Sequence, residues 1–408
     1  MKFVHSSIIF LLVLFTSGSS STNNNKSRAR QISRSHFYFS IDLYHRLTDL
    51  SSNSNSNVLF SPLNAYSTLS LLFLGTLHSS NSSQQLRKGL HLSHMSYVNI
   101  HSGFREVLRD FKNGRQLILR NQLFLRQNIS LNPLYEKGLF EYYNTKISRF
   151  SGSAGAFIEE WFLSQGLGLS SPMNFLSKEG GDLFSGHGLN VFSEWEIPFR
   201  AKDTLEQGHF YLPGGERMEI PMMNTRGSFP HGYSVELECR VLEIPFVNKR
   251  ISLFILLPDR VDLGLYQLEK NLTKENMQLI LSKLKTNAIN VRLPRFKASS
   301  VIQLEEAFKN LGIVDIFSQE TSELSLIAPG EDLFVSSILQ KSAFEAKESN
   351  IKQDDSFDKK SSSFRTNSSS PLIEESLFEV DHPFVFLVWD YYSGMLLLMG
   401  RINQPDLL

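Results

Sequence analysis

Residues 378–388 read FEVDHPFVFLV, and residues 393–405 read SGMLLLMGRINQP. From Phe384 to Val388, and again from Met395 to Met399, the runs are wholly apolar. Short runs of that kind, bounded by turn residues, are the pattern of strands buried on both faces. Upstream, "LFVSSILQKSAFEA" at 333–346 reads as another buried strand. Between these strands lie residues 347–376, "KESNIKQDDSFDKKSSSFRTNSSSPLIEES", which are mostly polar. Loops longer than roughly 12–15 residues are uncommon in compact domains and are usually functional or disordered. The question of function therefore concentrates in this stretch.

Composition narrows the classes. The chain has 408 residues, 41% of them hydrophobic and 12% aromatic, with 32 Phe, which is ample material for a large core. Its 41 basic and 41 acidic residues cancel, so no global field favours nucleic acid or an anionic membrane. Nucleic acid is not an expected partner. The first 21 residues carry Lys2, an apolar run from Ile8 to Phe15 and then small residues, the layout of a secretory signal peptide. A secreted, extracellular protein is the expectation that follows. The apolar run falls well short of the ~20 residues that cross a bilayer, and no later segment is longer. Cys239 is the only cysteine, so no internal disulfide forms, and its place in "ECRVLEIPF" suits a small buried residue. Sequons at Asn25, Asn81, Asn128, Asn271 and Asn367 permit glycosylation, although a chain this rich in Ser would hold several by chance.

Residues 22–36 are polar and basic and read as a flexible arm ahead of a single domain over 37–408. "FYFSIDLYHRLTDL", from Phe37, has the apolar spacing of an amphipathic helix. "VLFSPLNAYSTLSLLFLGT" is apolar for most of its length and suggests a helix buried on all sides. "IHSGFREVLRDFK" and "QLEEAFKNLGIVDIF" read as further helices. "QLILRNQLFLRQ", "RVLEIPF", "ISLFILLPDR" and "NVRLPRF" read as strands. Helices dominate early and strands late without βαβ alternation, which points to the α+β class.

Enzyme signatures are missing: there is no G-x-S-x-G, no H-E-x-x-H and no phosphate-binding glycine loop, so an enzyme is not expected. His91 and His94 stand three apart without a third ligand, which favours a solvated surface pair over a metal site. Arg105, Arg109 and Lys112 share one helix face and could meet a polyanion. Glu106 and Asp110 follow the first two, so an ordinary salt-bridged face is the simpler reading.

The order of these segments resembles the serpin family from about Phe37 to the C-terminus. "FEVDHPFVFLV" with "SGMLLLMGRINQP" fits the family's C-terminal signature, and "NVLFSPLNAYSTLSLLFLGT" its central helix with Ser61 and Pro62 in place. "IEEWFLSQGLG", "FSEWEIPF", "IPMM", "VLEIPF" with "LFILLPD", and "VRLPRF" follow in family order. The resemblance implies three β-sheets with a large central one, roughly eight to nine helices and an exposed reactive-centre loop at about 347–376. It also implies a monomer that needs no cofactor and no metal, with a serine protease as partner. In inhibitory serpins the protease cleaves the loop, whose first half then inserts as a new central strand and drags the acyl-enzyme with it.

Against that pattern this chain departs twice. Glu348 stands where the family's hinge Glu would be, but Asn350 replaces the expected Gly, and Gln353, Asp354 and Asp355 replace alanines. On insertion Ile351, Gln353, Asp355, Phe357 and Lys359 would face the core, where burying an unpaired Asp355 costs several kcal/mol or forces it to take up a proton. The loop is about eight residues longer than usual between Glu348 and Phe384. Under the sheet, Ser61 remains, while Asn64 and Gln340 fall where a second Ser and a His are usual, and "FSGHGLNVF" offers no placeable Asn. Two amides there could form a substitute hydrogen-bonded cluster. If the protein inhibits, family spacing from Glu348 selects the Arg365–Thr366 bond as the scissile one, and Arg suits a trypsin-like pocket carrying an Asp. Lys359 and Lys360 also qualify, and counting back from Phe384 lands nearer Leu372. The alternative function is a non-inhibitory carrier, chaperone or binding protein, or a plain protease substrate.

Overall fold

The structure, a computed structural model, describes residues 23–51, 56–109, 111, 117–167, 181–191, 194–349 and 376–406. In chain order its elements begin with α1 (Asn23–Leu50), β1 (Val58–Phe60), α2 (Pro62–Leu74), α3 (Asn81–Gly89), α4 (Tyr97–Arg109) and β2 (Leu117–Arg126). Then come α5 (Pro133–Gly138), β3 (Ile147–Phe150), α6 (Ala154–Ser164), β4 (Leu183–Val191), β5 (Leu205–Tyr211), β6 (Arg217–Ser234), β7 (Cys239–Pro245) and β8 (Ile251–Pro258). The last are α7 (Gly264–Asn271), α8 (Lys274–Lys283), β9 (Lys285–Pro294), β10 (Phe296–Gln303), α9 (Glu305–Asn310), β11 (Val335–Ala346), β12 (Leu377–Glu379), β13 (Phe384–Asp390) and β14 (Met395–Ile402).

The apolar run at 57–76 divides. Its first residues form β1, paired with β14, and Ser61 then caps α2 by accepting a hydrogen bond from the Asn64 N–H at 3.2 Å, with Pro62 opening the helix. Every residue of α2 is buried, the polar Asn64, Ser67, Thr68 and Ser70 included. The arm expected over 22–36 is instead, from Asn23 onward, the first half of α1. Ile32, Ser33, Ser35 and His36 are buried, and Gly103 of α4 lies against Ile32. Small hydroxyl side chains let that polar segment pack, because Ser33 donates to Ala29 O and Ser393 O and Ser35 to His91 O.

Two sheets form among the described residues. One runs β1-β14-β13-β8-β7-β6-β9-β12 with β5 beside β6, and the other β10-β11-β4-β2-β3. The three expected sheets become two hydrogen-bonded ribbons because the 18-residue β6 pairs with β5 at its start, with β9 along its middle and with β7 at its end. The α+β class with mixed sheets is as expected. Phenylalanines join the layers: Phe296 and Phe344 of the five-stranded sheet pack on Phe384 and Phe386 of the other, with ring centroids 5.6–6.4 Å apart. Arg401, almost fully buried, forms a two-pronged pair with Glu269 at 3.0 and 3.2 Å, and Tyr44 donates to the same carboxylate. Cys239 is buried, and burial pushes its thiol up to about 12, an unreactive state. No helix among the described residues is long and apolar enough to cross a membrane.

Candidate functional site

The polar loop leaves the five-stranded sheet at the end of β11, and four contacts hold its first residues. The Trp195 indole N–H donates to Lys347 O at 2.8 Å, and the Ser349 N–H donates to Phe199 O at 2.9 Å. Glu348 Oε1 accepts from Arg295 Nη1 at 3.2 Å and from Thr204 Oγ1 at 2.8 Å. Its side chain is only 11% exposed. Arg295 also reaches Glu206 at 3.3 Å, so the guanidinium bridges two carboxylates. Trp195 is fixed by stacking on Phe246 at 4.7 Å. At the far end Ser376 O accepts from the Asn290 N–H, β12 pairs with β9, and Glu379 pairs with Arg292 at 3.1 Å. Both ends of the loop are thus fixed. Asn350, Ile351, Gln353, Asp355, Arg365, Thr366 and Asn367 lie outside the described residues, as does Lys112.

Below the first anchor, β11 and β4 run parallel and adjacent from Val335↔Leu183 to Ala343↔Asn190. Parallel pairing is slightly less stable per residue than antiparallel pairing. A strand entering between them from the end of β11 would run antiparallel to both neighbours. This seam is the mechanically interesting part of the sheet.

Gln340 and Ser61 are brought together under the seam; the expected two-amide cluster is not. Gln340 Oε1 accepts from the Ser61 N–H at 2.7 Å, and its Nε2 donates to Ser61 O at 2.9 Å. The Asn64 amide, fully buried, has no hydrogen-bond partner among the described residues, because Gln340 spends both its polar atoms on the Ser61 backbone. The polar group under β4 is His187, an imidazole on the strand that offered no placeable Asn. It meets Thr68 Oγ1 at 2.7 Å, Ser185 Oγ at 2.8 Å and Asn121 Oδ1 at 3.2 Å. Burial lowers its pKa to about 3, so it is neutral at ordinary pH. None of these bonds joins β11 to β4: Gln340 ties β11 to the start of α2, and His187 ties β4 to its middle. Parting the strands would leave both sets intact.

On the opposite face of the seam sits α6. Gly186 and Gly188, which shorten "FSGHGLNVF" in side-chain terms, receive Trp161 and Leu167 from above. Lys341, paired in register with Gly188, is almost fully buried, and desolvation followed by the nearby Lys297 charge lowers its pKa.

The remaining candidates are dispersed. Arg105 pairs with Glu141 at 3.1 Å and lies over the Tyr142 ring, while Glu106 meets Arg28 at 3.9 Å. His91 meets Asp42 at 2.7 Å and His94 is exposed. Asn81 and Asn128 are exposed and Asn271 is half-buried at the end of α7, while nothing is described of the Asn25 side chain. Sequence reasoning missed Arg295, Thr204, Trp195 and His187. The first and third stand inside "VRLPRF" and "FSEWEIPF", but nothing local marks them as anchors for a residue far along the chain.

A family model described as Serpin (serine protease inhibitor) matches residues 35–162 and 189–405. The chain belongs to the serpin family. Relatives include the leukocyte elastase inhibitors of Bos taurus, 29% identical over 394 residues, and of Homo sapiens, 28% identical over 397. Each alignment covers 92% of this serpin and 100% of the relative. Among solved structures, mouse protein-Z dependent protease inhibitor superposes with a TM-score of 0.80 at 22% identity, covering 95% of this chain and 100% of that one. Human thyroxine-binding globulin, solved with its hormone, also gives 0.80 at 18% identity, covering 93% and 100%. These two likenesses concern the fold alone. The expectation of a secreted, extracellular protein is corrected here: the leukocyte elastase inhibitors that match are intracellular serpins, so the assignment to the outside of the cell does not stand. Serine proteases are the partners that go with the family.

Proposed function

We propose that this serpin acts as a suicide substrate for a trypsin-like serine protease, offering residues 347–376 as bait and Arg365–Thr366 as the scissile bond. The carrying observation is the pairing of a clamped loop base with a parallel seam directly below it. The protease serine attacks the Arg365 carbonyl carbon. The Arg365–Thr366 bond breaks, and the Thr366 amine leaves with the proton supplied through the protease histidine. An ester then joins the protease to Arg365, and insertion of the preceding residues between β11 and β4 carries it away. Inserted there, the strand exchanges one parallel contact for two antiparallel ones.

The hinge weakens that final step. Asp355 and Lys359 would face the core beside Ile351 and Phe357, and burying an apolar side chain returns only about 1.5–3 kcal/mol. A stranded charge costs at least as much, about 2–7 kcal/mol for even a neutral polar group. In this reading trapping is inefficient at neutral pH, and most encounters end in plain cleavage. The polyanion reading of Arg105 gains no support from its pairing with Glu141. Incubation with trypsin tests the proposal by denaturing gel. An SDS-stable adduct lacking a C-terminal peptide that begins at Thr366 supports it. Cleavage elsewhere, with no adduct at any ratio, overturns it.

A further inference from the structure

Two neighbouring connections of the larger sheet expose more apolar surface than their fold requires. One is the turn from β6 to β7, and the other leads from β8 into α7. Tyr233 and Val235 stand out of the first, and Val261, Leu263 and Tyr266 out of the second and the start of α7. Val235 is 74% exposed and Leu263 66%. Single exposed apolar residues are ordinary, but a group of them on adjoining turns marks an interaction site. The two connections are tied together. The Tyr233 hydroxyl donates to Asp259 Oδ2 at 2.6 Å, and the Asp259 N–H donates to Glu238 O at 3.0 Å.

Neither connection is loose. Ser234 Oγ accepts from the Leu237 N–H at 3.2 Å and donates to Glu236 at 3.1 Å, and Leu237 is fully buried. Leu265 and Leu268 anchor α7 from within. A rigid backbone that already holds its apolar side chains outward lowers the ordering cost of binding. Leu263 adds a further anomaly. It stands at the N-cap of α7 with a left-handed φ of 51°, and its side chain makes no capping bond. Glycine would take that conformation without strain, and Ser, Thr, Asp or Asn would cap the helix. Leucine does neither, and its side chain gains no burial in return. A residue that breaks a local rule without structural gain marks a functional position. Glu238 in the first turn is left-handed too, with a φ of 48°.

Charge decides what the surface takes. Glu236, Glu238, Asp259 and Asp262 stand exposed among the apolar side chains, against Arg260 and Lys283. Arg260 meets Asp262 at 3.3 Å and Lys283 meets Glu236 at 3.9 Å, while Glu238 and Asp259 have no ion pair among the described residues. Two unpaired carboxylates beside five apolar side chains disfavour nucleic acid and anionic lipid, and they complement a cation flanked by apolar groups. We propose that these two turns form a docking surface for a partner protein, which presents an arginine or lysine to Glu238 and Asp259 and packs flanking aliphatic side chains on Val235 and Leu263. The surface does not depend on the bait reading, because no residue of 347–376 takes part in it.

Short random peptides displayed on phage, selected on the full chain, test the surface without a known partner. The enriched peptides should carry Arg or Lys next to Leu, Ile or Val. Glu238→Lys and Val235→Asp should each weaken the best of them by about tenfold or more. Leu263→Gly is the most telling variant. Binding should fall likewise while Tm stays level or rises, since glycine relieves the left-handed backbone. A fall in Tm for Leu263→Gly would make the leucine a structural residue and overturn its role here. An acidic or purely apolar consensus, or no preference for the wild type over Val235→Asp, would refute the surface. A wild type that dimerised in analytical ultracentrifugation where Val235→Asp stayed monomeric would assign the face to a second copy, and would overturn the proposal as well.

Discussion

Replacing Glu348 by Ala removes the anchor at the loop's first turn, and its cost can be worked from the geometry. An exposed pair is worth about 0–1 kcal/mol, and breaking a fully buried one costs about 3–5 kcal/mol by stranding the partner. This pair lies between those limits. Glu348 is nearly buried, but Arg295 is 30% exposed and keeps Glu206 as a second partner. The guanidinium is therefore not left uncompensated, and the main losses are one charge-assisted bond and the acceptor of the Thr204 hydroxyl. We expect a loss of about 1–2 kcal/mol, appearing as a fall in Tm of only about 1–2.5 °C in a chain this large. Glu348→Gln, which keeps an acceptor for Thr204, should lose about half as much. A double-mutant cycle by denaturant unfolding then isolates the pair. Arg295→Ala and Glu348→Ala should be non-additive by about 1 kcal/mol. Strict additivity would mean that the contact does not bear on stability, and the account of the loop base would fail.

Three further outcomes follow. Buried His187, His36 and His101 all have pKa values lowered to about 3 by burial, whereas the unfolded chain protonates near 6.5, so stability is full above that pH and declines as pH falls toward 3. At pH 5 each histidine should cost about 2 kcal/mol, and His187→Gln should remove about a third of the pH dependence in denaturant titrations at pH 7 and pH 5; an unchanged dependence would contradict the neutral imidazole. Arg365→Ala should abolish adduct formation with trypsin-like proteases while Lys359→Ala changes it little, and mass spectrometry of the released peptide checks the bond, since a start other than Thr366 refutes the assignment. Replacing Asn350 by Gly and Gln353, Asp354 and Asp355 by Ala should raise the adduct yield, read by gel densitometry; an unaltered yield would clear the hinge of blame.

Much of the fold is legible in the sequence because burial on both faces leaves uninterrupted apolar runs. The strands at 384–390 and 395–402 carry such runs over 384–389 and 395–399, the buried helix from Pro62 ends in one over 71–74, and the polar loop stands out by contrast with them. What is not legible depends on contacts between distant positions. Glu348 is recognisable as a hinge residue, but its partner Arg295 lies 53 positions earlier in the chain, in a segment that reads only as a strand. His187 looks like an unremarkable histidine between glycines, because Thr68 and Asn121 reach it from other elements. The same glycines look like a defect in "FSGHGLNVF" until Trp161 and Leu167 are seen resting in them. The start of α1 was missed for a different reason: serine counts as polar in any periodicity, yet Ser33 and Ser35 bury easily once their hydroxyls find carbonyls.

The central claim is that a clamped bait loop works this serpin through insertion at the β4–β11 seam, and that a charged hinge holds the insertion back. Comparing the melting temperature of the protein before and after cleavage in the loop, for the wild type and for the hinge variant, tests it most directly. The account predicts little rise for the wild type and a clear rise for the variant, because only the variant's strand gains from entering the sheet. A wild-type protein that stabilised sharply on cleavage, and trapped trypsin at near one-to-one stoichiometry, would contradict it.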